Sequence, residues 1–86
     1  MNTMNKILIK VIVPLVEEKY EVFVPANKRI SLIIKLIVKV VNELTSGYYP
    51  LKEDALLINK DTGNLYDVNI TVKDAKIING SEVILI

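Results

Sequence analysis

Ile30-Ser31-Leu32-Ile33-Ile34-Lys35-Leu36-Ile37-Val38-Lys39-Val40-Val41-Asn42-Glu43-Leu44 carries apolar side chains with the period of a helix. Ile30, Ile33, Ile34, Ile37, Val41 and Leu44 follow the i, i+3, i+4, i+7 spacing of one buried stripe, and Ser31, Lys35, Lys39 and Asn42 form the polar face. On both sides of this stretch the period falls to two. Upstream, Lys6 to Val13 places Ile7, Ile9, Val11 and Val13 on one face of a strand, with Leu8, Lys10 and Ile12 on the other. Pro14 to Glu18 reads as a turn, because proline donates nothing to a ladder. Lys19 to Pro25 then returns with Tyr20, Val22 and Val24 inward and Glu21 and Phe23 outward, completing a β-hairpin. Residues 1–5 read as a flexible lead-in to a single domain spanning 6–86.

Downstream the elements are shorter. Gly47 and Pro50 stop the helix, and 48–54 reads as a loop. Ala55 to Asn59 reads as a short strand with Leu57 on one face and Leu56 and Ile58 on the other. Lys60 to Asn64 is a tight turn, Leu65-Tyr66 a brief return and 71–78 a turn region. Asn79-Gly80 is a strong turn signal before a last strand, 81–86, with Val83 and Leu85 inward and Ile84 and Ile86 outward. Either Asn27 or Ser31 is a candidate helix cap. Hairpin, single helix and three further short segments predict a two-layer α+β domain, a mixed four- to five-stranded sheet with one helix on one face.

Composition narrows the chemistry. The chain has 86 residues, 51% of them hydrophobic, and isoleucine plus valine account for 24. That is too apolar for a disordered segment and too β-branched for a simple helical bundle. There is no cysteine and no histidine, which excludes disulfides, cysteine-ligated zinc, iron–sulfur clusters and nearly all nucleophilic triads. Eleven basic against ten acidic residues, a net charge of +1, argue against a dedicated nucleic-acid binder. Lys35 and Lys39 interrupt the only long apolar stretch, so direct membrane insertion is not expected. Lys10, Glu17 and Glu18 break any signal-peptide pattern, which points to a cytoplasmic location. Glu17-Glu18 and Glu53-Asp54 are adjacent carboxylates in turns, not the separated pair that acid–base catalysis requires. No enzyme activity, metal or cofactor is expected.

The last third carries a further signal. Val72-x-Asp74-x-x-Ile77-x-Asn79-Gly80-Ser81-x-Val83-x-Leu85 resembles the ending of ubiquitin-like β-grasp proteins. Asn59-Lys60-Asp61 after one strand and Ile78-Asn79-Gly80 before the last are most similar to the YukD-like family, small proteins encoded with bacterial type VII secretion systems. The resemblance implies a β-grasp fold with the first and last strands parallel at the centre of the sheet. It also implies a bacterial protein whose partner is another protein, such as a secretion-system component. Ubiquitin and the sulfur carriers work through a flexible Gly-Gly tail, whereas this sequence ends Val83-Ile84-Leu85-Ile86 within a strand. Conjugation is therefore not expected; the alternative is a carrier whose tail has been trimmed.

Two surfaces are candidates for binding. On the sheet face away from the helix, Leu8, Ile12, Phe23, Leu57, Ile84 and Ile86 would form an exposed apolar patch. The competing reading is that Lys10, Lys19 or the N-terminal residues shield it, or that a strand phase is shifted by one. On the side of the helix, Leu32, Leu36 and Val40 repeat every four residues and suit a homodimer or a partner helix. The competing reading, slightly favoured, folds the 45–54 loop over them with Tyr48, Tyr49 and Leu51. Lys28-Arg29 at the helix start reads as solvated charge rather than an anion site.

Overall fold

The computed structural model describes residues 6–86; the 1–5 lead-in lies outside the described residues. Strands β1 (Lys6–Val13) and β2 (Glu18–Pro25) form the expected hairpin, joined by a 3₁₀ turn at Pro14–Val16. Glu17 closes that turn with φ of 55°, in the left-handed region. Helix α1 spans Ile30–Leu44, β3 spans Leu57–Asn59 and β4 spans Glu82–Leu85. The sheet order is β2-β1-β4-β3, with β1 and β4 parallel in the middle and both outer pairings antiparallel. Leu65 returns to Ile58 through a single bridge, so the expected brief strand is one residue long.

The core lies between α1 and one face of the sheet. Ile9, Val11, Val13, Val24, Val83 and Leu85 meet Ile30, Ile33, Ile34, Ile37, Val38 and Val41 of the helix. Two helix positions differ from the expectation. Leu44 is exposed at the last turn, and Val38, outside the expected stripe, is buried. The helix start is at neither Asn27 nor Ser31: its cap is Arg29, whose side chain makes no capping hydrogen bond to the helix. The backbone N–H groups of Ile30 and Ser31 instead donate to the carbonyls of Ile70 and Val68, at 2.9 and 3.0 Å. Arg29 Nε donates to the Asn69 carbonyl at 3.1 Å. The 68–71 segment thus satisfies donors that a capping side chain would otherwise take.

The Asn79-Gly80 turn has a mechanical role. Asn79 Oδ1 accepts from the Leu8 N–H at 2.7 Å, and the Gly80 N–H donates to the Leu8 carbonyl at 2.8 Å. A side-chain amide thus extends the parallel β1–β4 ladder by one step beyond the strand. Gly80 has φ of 86°, a conformation most side chains avoid. Asn79→Ala should lower the unfolding free energy by about 1 kcal/mol, while Asn79→Asp, which keeps the acceptor, should lose less. Urea denaturation of both variants checks this, and equal losses would show that the Oδ1 bond is not what matters.

The 45–54 loop inserts Tyr49 into the core, where it is 1% exposed. The Tyr49 hydroxyl is buried without a hydrogen-bond partner among the described residues. Burial, reinforced by the Asp54 carboxylate, raises its pKa. An orphaned buried hydroxyl costs about 1–3 kcal/mol, and the ring beneath it supplies packing. Tyr49→Phe should therefore be neutral or stabilising by up to about 1 kcal/mol, and Tyr49→Ala should destabilise by about 3–5 kcal/mol. Chemical denaturation separates the two; a Phe variant as damaged as the Ala variant would mean that the hydroxyl is bonded.

Candidate functional site

With α1 on one side of the sheet, the opposite face is built from Leu8, Lys10 and Ile12 of β1, Lys19, Glu21 and Phe23 of β2, Ile58 of β3 and Glu82 and Ile84 of β4. Register lines these up in rows. One row is Lys19–Ile12–Ile84–Ile58, from edge to edge. The next is Glu21–Lys10–Glu82, and Leu8 sits opposite Phe23 in the third. Beyond the end of β4, Ile86 and Leu56 exchange backbone hydrogen bonds of 3.0 and 3.1 Å, which adds two more apolar side chains in a row beside the first.

Five of the six expected residues, Leu8, Ile12, Phe23, Ile84 and Ile86, therefore lie on this face. Leu57 does not: it is 2% exposed and packs into the core beneath the helix. It pairs with Leu85, also a core residue, so the phase of β3 is one residue away from that expected. In a run such as Leu56-Leu57-Ile58, alternation is invisible, and a slip of one exchanges the faces. Ile58, opposite Ile84, takes the place assigned to Leu57.

The patch is divided rather than continuous. Glu82 Oε1 accepts from Lys60 Nζ at 2.9 Å and Oε2 from Lys19 Nζ at 3.1 Å. Lys19 is on β2 and Glu82 on β4, two strand spacings or roughly 9–10 Å apart. The Lys19 stem must therefore cross β1 beside Ile12, and Ile12 is half-buried accordingly. The shielding expected of Lys19 is thus partial. What remains is two apolar areas separated by charge. Leu8 and Phe23, the latter 66% exposed, lie on one side. On the other, Ile12, Ile84 and Ile58 lead to Ile86 and Leu56, which are 48% and 45% exposed. At its outer end this second area reaches a cleft of about 280 Å³ lined by Pro14, Leu15, Tyr49, Lys52, Leu85 and Ile86.

The helix-side candidates, Leu32 and Leu36, are exposed and Val40 is half-buried. The 45–54 loop does not fold over them. Asn42 Nδ2 donates to the Tyr49 carbonyl at 2.8 Å, which holds the loop on the opposite flank of the helix. Tyr49 is core, and Tyr48 and Leu51 are exposed. At the helix start, the carbonyls of Val68 and Ile70 occupy the N–H groups an anion would need. Among the described residues no group of three or more acidic, cysteine or histidine side chains is placed to hold a metal, and no helix is long and apolar enough to cross a membrane.

Hydrogen bonds from Lys60 and Lys19 hold the Glu82 carboxyl down to about 2 from its ordinary 4.5, and the same contact raises the Lys60 pKa. A depressed carboxyl pKa contributes stability that is fully present above 4.5 and is lost as pH falls toward 2. The melting temperature of the wild type should therefore exceed that of Glu82→Gln at neutral pH. The gap should close between pH 4.5 and pH 2. A gap constant across this window, measured by circular dichroism, would show that the carboxylate charge is not involved.

No protein-family model matches the chain, and no curated protein matches it. Solved structures do. A chain of the MycP5-free ESX-5 inner membrane complex superposes with a TM-score of 0.79 at 18% identity, over 96% of this chain and 21% of the other. The EccD5 ubiquitin-like domain from Mycobacterium xenopi gives 0.77 at 21% identity, over 94% and 92%. The ubiquitin-like domain of Dsk2 from Plasmodium falciparum gives 0.71 at 15% identity, over 93% and 95%. Ubiquitin-like domains of a type VII secretion system are thus among the structures this chain is similar to. The chain has the ubiquitin-like β-grasp fold, an α+β domain with one helix packed on a four-stranded mixed sheet.

Proposed function

We propose that this protein is a non-enzymatic interaction module that binds another protein through the uncovered face of its sheet. The observation that carries this reading is the apolar strip Ile12–Ile84–Ile58, extended by Ile86 and Leu56, on a face the helix leaves open. Half-buried and exposed aliphatic side chains aligned across three strands gain by leaving water, at about 25 cal/mol per Å² of area covered. The flanking Lys19, Lys60 and Glu82 would orient a partner more than hold it.

The similar structures support one partner class. Among them is a chain of a secretion system's inner membrane complex, and the sequence resembles proteins encoded with such systems. The protein is accordingly read as a cytoplasmic accessory or adaptor of a bacterial type VII secretion machine, acting by contact rather than by conjugation. Carrier activity is the competing reading, and the intact mass of the protein isolated from its cell separates the two. A mass extended by a Gly-Gly tail would favour the carrier.

Ile86→Asp and Leu56→Asp change side chains already about half exposed, so stability should stay within about 0.5 kcal/mol of wild type. Each should weaken capture of the partner from native cell extract at least ~10-fold, as expected when an apolar contact becomes an unpaired charge. The wild-type capture should contain a secretion-system component. Equal capture by wild type and both variants would exclude this face.

A further inference from the structure

The free edge of the sheet is β2, and it is self-complementary. In β1, the Leu8 carbonyl and the Lys10 N–H bond toward the β4 side, to Gly80 and Ser81. Strand alternation then turns Ile7, Ile9 and Val11 toward β2, where they pair with Val24, Val22 and Tyr20. The even-numbered residues of β2 are therefore spent on β1. The backbone N–H and C=O groups of Lys19, Glu21 and Phe23 point out from the edge, and among the described residues none of them is bonded. An unpaired row of this kind is a template for another strand.

We propose that a second copy of this chain pairs along β2, antiparallel about a twofold axis at Tyr20, joining two four-stranded sheets into one of eight strands. Only registers that place odd opposite odd residues use the outward groups. Centring on Glu21 sets Glu21 against its own copy, a like-charge pair. Centring on Val22 sets Glu21 against Phe23 and Lys19 against Pro25, which has no N–H to give. Centring on Tyr20 sets Lys19 of each copy opposite Glu21 of the other, two opposite-charge pairs between residues that exchange backbone hydrogen bonds; the Lys19 ammonium, which donates one proton to Glu82, has two more to share with that glutamate. It also leaves Pro25 beyond the paired segment. The half-exposed Tyr20 of each copy then meets its counterpart on the helix side of the joint. This pairing uses the edge and does not rest on the open-face reading.

Sedimentation equilibrium tests it through the charge pattern. Wild type should show a concentration-dependent dimer. Glu21→Lys alone places lysine against lysine, and Lys19→Glu alone places glutamate against glutamate; each should weaken the dimer at least ~10-fold. An equimolar mixture of the two variants restores both opposite-charge pairs and should dimerise as well as wild type. Glu21→Pro removes an outward N–H without touching the bonds to β1. It should leave a folded monomer by circular dichroism. A wild type that stays monomeric at millimolar concentration, a mixture no better than its components, or a Glu21→Pro variant that still dimerises would overturn the proposal.

Discussion

The structure depends on its first and last strands lying side by side. Val11 of β1 and Val83 of β4 are opposite each other and fully buried. Two strands running the same way cannot be joined by a tight turn, so everything between them must go around. The hairpin adds β2 to one side, the helix crosses beneath, and the long return through β3 fills the other side. The pairing is locked at its start by Asn79, whose side chain bonds to Leu8 at a separation of 71 residues.

Placing the helix on one face has a direct consequence for the opposite surface. The side chains that alternate away from the core have no second layer among the described residues to cover them. Charge is used to manage this surface: Lys19 and Lys60 converge on Glu82, and the Lys19 stem screens part of Ile12. The apolar surface that remains lies toward β3 and the ends of the central strands rather than spread evenly over the sheet. The sequence has no histidine and no cysteine, and no metal-holding group assembles among the described residues.

The hairpin and helix were legible because their patterns are long and punctuated. Lys10 and Glu21 mark the solvent phase of their strands, and fifteen residues of helical period leave little choice. The β3 phase was not legible. The aliphatic run Leu56-Leu57-Ile58 that leads into this three-residue strand contains no alternation, so only pairing with Leu85 decides that Leu57 is inside. The helix cap was hidden for another reason: its acceptors are the carbonyls of Val68 and Ile70, far along the chain, and any residue type supplies a carbonyl. Nor could spacing show that Leu44 is exposed while Val38 is buried.

The sequence by itself determined the element types, the inward faces of the long strands, the two-layer class and the absence of thiol and imidazole chemistry. These follow from local periodicity and composition, which every stretch of chain carries with it. Tertiary structure alone decided which aliphatic side chains share a surface, which flank of the helix the loop covers and which lysines reach Glu82. Those facts depend on strand register between segments as far apart as Ile12 and Ile84, a relation that no single stretch encodes.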